Sequence, residues 1–140
     1  PADKPIILLV DSIDTLKQYV ERVHPRVETL LTYHQRPLTI VYPKGRNLAP
    51  NAVGKDGSVA IRVTSDGFCR ELIRSFGKPI VSTSANVSDE PPPTHFGEIS
   101  SEIIRGVDYV CKYRQHDTEE GGPSVVATYD NRGHLDFIRS

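Results

Sequence analysis

Pro5-Ile-Ile-Leu-Leu-Val10 is a near-continuous apolar run, and such a run marks a sheet strand buried on both faces. Ser12 follows as an N-cap, and Ile13, Leu16, Val20 and Val23 recur at helical spacing. Val27 to Tyr33 extends the helical pattern until Pro37 interrupts it. Leu38 to Tyr42 (LTIVY) then reads as the next strand. Lys44 to Gly57 is rich in Gly and Asn and reads as a loop, with Ser58 to Val63 (SVAIRV) as a strand. Thr64, Ser65 and Asp66 offer N-cap oxygens to a helix that carries Phe68, Leu72, Ile73 and Phe76 on one side. Gly77 ends it.

The second half repeats the alternation. Lys78 to Ser82 reads as a strand, Val87 to Phe96 as a loop with three consecutive prolines, and Glu98 to Arg105 as a helix ended by Gly106. Val107 to Tyr113 reads as a strand, and Gln115 to Pro123 as a polar loop. Ser124 to Tyr129 and His134 to Arg139 flank the hairpin-turn residues Asp130 to Gly133. The pattern predicts an α/β fold whose sheet is mixed rather than purely parallel, because the last two strands form a hairpin.

At 140 residues with 37% hydrophobic and 25% charged residues, the chain suits one globular domain, 1–140. No apolar run approaches the roughly 20 residues that span a bilayer, so a soluble, cytoplasmic protein with no membrane partner is expected. A net charge of −1 argues against nucleic acid as an obligatory partner, because phosphate neutralisation supplies most of such affinity. Lys44, Arg46, Lys55 and Arg62 still allow weak, salt-sensitive RNA binding. Cys69 and Cys111 make neither a disulfide framework nor a zinc site and suit a reducing compartment. The five histidines lack metal-ligand spacing, so no protein-held metal is expected.

The segment Lys78-Pro-Ile-Val-Ser-Thr-Ser-Ala-Asn-Val-Ser88 leaves an apolar strand and turns small and polar within two residues. If it stays extended, Ser82, Ser84 and Asn86 project to one side, beyond a strand end where α/β sheets commonly bind ligands. Hydroxyls and an amide can hold phosphate or ribose oxygens without adding negative charge. The same composition also suits a turn that caps the next element. Arg62, inside the apolar Val59 to Val63 run, is either an anion clamp or a strand-edge arginine reaching water. Gly121-Gly122-Pro123-Ser124 could turn amides and one hydroxyl toward an anion, although it does not match a Walker loop and also reads as a plain loop. There is no Gly-x-Ser-x-Gly elbow for a serine hydrolase, and no residue stands out as catalytic in its own right.

The order of Lys4-Pro5 to Val10, Arg36-Pro-Leu-Thr39, Val59-Ala-Ile-Arg-Val63, Gly77 to Ser88, Pro123-Ser-Val-Val126 and Phe137-Ile-Arg139 resembles YrdC-type threonylcarbamoyl-adenylate synthases, over essentially the whole chain. The resemblance implies a twisted mixed sheet with flanking helices around a central cavity. It implies a nucleotidyltransferase that makes threonylcarbamoyl-AMP and pyrophosphate from L-threonine, bicarbonate and ATP, with Mg²⁺ bridging phosphates. The product would feed N6-threonylcarbamoyl modification of adenosine in tRNA through downstream partner proteins. By match to the motifs, Ser84 and Asn86 would hold the nucleotide phosphates with Ser82 beside them. Arg62 and Arg139 would reach the nucleotide, and Ser124 would line the threonine and phosphate region.

Three departures accompany the resemblance. The family's Lys-x-Arg pair and its earlier threonine-binding strand would lie upstream of Pro1, so the chain resembles the family domain without its N-terminal segment. Asp89 stands where the family usually has Gly, and Val125 and Thr128 replace a Thr and an Asp. A divergent paralogue with another carbamoyl-adenylate role, or an RNA-binding module on the same fold, is the alternative reading.

Overall fold

A computed structural model describes residues 6–139. The chain divides into two compact units, one running to Ser82 and resuming at Ser124, the other Thr83–Pro123. The first unit holds a six-stranded sheet in the order β4-β1-β3-β2-β5-β6. Its strands are β1 (Ile7–Val10), β2 (Leu38–Tyr42), β3 (Val59–Val63), β4 (Ile80–Ser82), β5 (Val125–Tyr129) and β6 (Leu135–Arg139). Pairings β1–β3 and β2–β5 are parallel, while β1–β4, β2–β3 and β5–β6 are antiparallel. The mixed α/β sheet expected from the terminal hairpin is what the chain forms.

Strand alternation builds the core. Leu8, Val10, Leu38, Ile40, Tyr42, Val59, Ile61, Val125 and Ala127 are buried on one sheet face, and Leu16, Val20 and Val27 pack onto them. Helix α1 (Ile13–Tyr19) starts where the Ser12 hydroxyl accepts from Thr15 N at 3.1 Å. Helix α2 (Pro25–Tyr33) starts with Pro at N1 and the His24 ring capping Arg26 N. Helix α3 (Gly67–Phe76) is capped by Asp66, which accepts from Cys69 N at 3.0 Å, and ends at Gly77 with φ +79°. That left-handed conformation suits glycine and closes the helix as its sequence predicts.

Several expectations are corrected. β1 is fully buried on one face only: Leu8 and Val10 face the core, and Ile7 and Leu9 are half-buried. Pro5 lies outside the described residues. Val20 leaves the helical pattern and bridges Gly45 as an isolated β pair. Of the apolar set on α3, only Ile73 is buried. In the second unit, Glu98 ends a 3-10 turn (Phe96–Glu98), and helix α4 is shorter than expected, Ser101–Gly106. Val107 to Tyr113 forms no strand. Its Val and Tyr residues favour strand locally, but a strand needs a neighbouring edge to satisfy its amides. Val107, Tyr109 and Tyr113 stay exposed instead.

Candidate functional site

The sheet face opposite the core carries a row in register across five strands: Leu9, Arg62, Thr39, Val126 and Arg139. Directly opposed residues share a face, so their side chains project together. Ser82, paired with Ile7 on β4, projects to this face as well. The sheet therefore places Arg62, Ser82, Ser124 and Arg139 on one surface.

Two of those residues are in direct contact. Arg139 Nε donates to the Ser124 carbonyl at 2.9 Å, and Nη2 lies 3.3 Å from the Ser124 hydroxyl. The Ser124 hydroxyl also meets the Thr39 hydroxyl at 2.7 Å. Thr39 is fully buried and Ser124 nearly so. With Arg139 donating to Ser124, a Thr39 hydroxyl that donates as well would free the Ser124 proton for a ligand. Sequence reading missed Thr39. Its signal was an aliphatic hydroxyl inside the apolar strand LTIVY, out of phase with Leu38, Ile40 and Tyr42.

Arg62 is half-buried. Burial lowers its pKa, with Cys69 and Asp66 acting in the opposite sense; an arginine so placed still carries its charge. Although it shares the Thr39 row, Arg62 also lines a cavity of about 530 Å³ where α1, α2 and the end of β3 meet.

Ser84 and Asn86 belong to the second unit. The strand ends at Ser82, and the chain bends at Ala85 and Asn86 rather than continuing extended. Asn86 Nδ2 donates to the carbonyls of Val87 and Glu90, each at 3.0 Å, pinning the loop that follows. Its Oδ1 is buried with no hydrogen-bond partner. Ser84 and Ala85 line a cavity of about 470 Å³ whose wall includes Pro92, Pro93 and Ile99. Small residues and flat apolar side chains of this kind suit a planar ring. Gly121 N donates to the Thr94 carbonyl at 2.9 Å and helps close that cavity. Among the described residues, no group of three His, Cys, Asp or Glu is placed to hold a metal. None of their helices is long and apolar enough to cross a membrane.

The mixed α/β sheet is the class of fold that solved Sua5 and YciO structures share. The chain matches the Sua5/YciO/YrdC family, described as "Telomere recombination", over residues 1–140. It belongs to that family. A threonylcarbamoyl-AMP synthase of Escherichia coli O1:K1 / APEC is 33% identical over 112 residues, covering 74% of this chain and 56% of the relative. The chain thus spans about half the length of the curated relatives it matches. The solved structure of H234A/Y235A P. abyssi Sua5 superposes with a TM-score of 0.75 at 28% identity, covering 91% of this chain and 39% of that one. E. coli YciO superposes with a TM-score of 0.79 at 20% identity, covering 99% and 66%, a likeness of fold.

Proposed function

We propose that this protein makes threonylcarbamoyl-AMP and pyrophosphate from L-threonine, bicarbonate and ATP, for threonylcarbamoylation of tRNA adenosine by downstream partner proteins. The observation that carries the reading is the Arg139–Ser124–Thr39 contact, in register with Arg62 on one sheet face. The family relation and the synthase name of the E. coli relative support it.

The chemistry asks for charge and position. The threonine amine adds to carbon dioxide formed from bicarbonate and loses a proton, giving a carbamate. A carbamate oxygen then attacks the α-phosphorus, and the bond to the β,γ-phosphate oxygen breaks to release pyrophosphate. No protein nucleophile is required, so pre-placed cations and hydroxyls supply the rate. Arg139 uses Nε and Nη2 on Ser124, which fixes the guanidinium plane and leaves Nη1 to meet a ligand. Arg62 adds a second charge, and the Ser124 hydroxyl supplies a donor.

The described residues do not fit a protein-held magnesium ion, since no such cluster of acidic or imidazole groups exists among them. Magnesium therefore enters this reading as part of the substrate, Mg·ATP. The test is pyrophosphate release from ATP and bicarbonate by the full-length protein, with and without L-threonine. Release that depends on threonine supports the reading, and threonine-independent release or none refutes it.

A further inference from the structure

We draw no further inference here: the strongest candidate, the cavity of about 200 Å³ beyond the carboxyl ends of β2 and β5 that His24, Pro43 and Tyr129 help wall, shows nothing that names an occupant, since its Lys44 and Glu21 pair with each other at 3.6 Å and its Asp130 with His134 at 3.1 Å.

Discussion

The hydroxyls of Thr39 and Ser124 lie 2.7 Å apart although 85 residues separate them in sequence. The parallel pairing of β2 with β5 brings them together, and Arg139 closes the group from β6. Thr39→Val keeps the shape and removes the hydroxyl, so a hydrogen bond in a buried site goes unmade. A stability loss of about 1–2 kcal/mol is expected, read from the urea midpoint, together with a raised KM for ATP. Thr39→Ser should restore KM even while losing a buried methyl. Equal KM in all three proteins would show that the contact is structural only.

Gly133, with φ +81°, closes the β5–β6 turn, and a Cβ there would sit 2.5 Å from His24 Cε1. Gly133→Ala should therefore cost about 1–3 kcal/mol from backbone strain and the clash. In a His24→Ala background the nearest clash disappears, leaving the backbone cost and a 2.9 Å approach to Arg26 Cδ, which that flexible side chain can relieve. Thermal denaturation of the four proteins checks this: the double-mutant cycle should show a coupling of the two changes.

Asn86 donates to two carbonyls of its own loop. Asn86→Asp replaces that donor with a carboxylate oxygen facing acceptors, so it should be worse than Asn86→Ala. Both should raise the KM for ATP, with faster proteolysis in the 87–90 segment and near-normal circular dichroism. An Asp variant that matches wild type would contradict the staple.

Acid should weaken the sheet unit in part through Asp11. The Thr15 hydroxyl and the Arg74 guanidinium hold its pKa below the usual carboxylate value. A depressed folded-state pKa gives stability that is present above the unfolded pKa, near 4, and lost as pH falls through the lower folded value. Asp11→Asn should thus lower stability between pH 6 and 8, where the contribution is fully present, and flatten the profile below pH 4 so that the variant and wild type converge in acid. Urea titrations at several pH values measure it, and an unchanged acid slope would remove Asp11 from the account.

Much of the fold was legible because its signals are local. The Asp66 cap, the Gly77 stop and the Asp130 to Gly133 turn depend on a few neighbouring residues, and each forms where the sequence places it. Val107 to Tyr113 failed because a strand also needs a partner, and nothing local reveals whether one exists. The candidate site was legible in its composition more than in its geometry. Arg62, Ser82, Ser124 and Arg139 do share a sheet face, but Ser84 and Asn86 follow a bend rather than an extended row. Thr39 escaped notice because its importance depends on a register set by β5, far along the chain.

The central claim is that the polar row around Ser124 serves a threonine-dependent adenylation. Its most direct test is initial-rate pyrophosphate release by full-length wild type and Arg139→Gln, with ATP and bicarbonate, across a range of L-threonine. The account predicts threonine-dependent release in wild type and a kcat/KM at least tenfold lower in the variant, measured at a temperature where circular dichroism shows both proteins folded, the scale for a lost charged contact. Release that ignores threonine, or a variant as active as wild type, would contradict it.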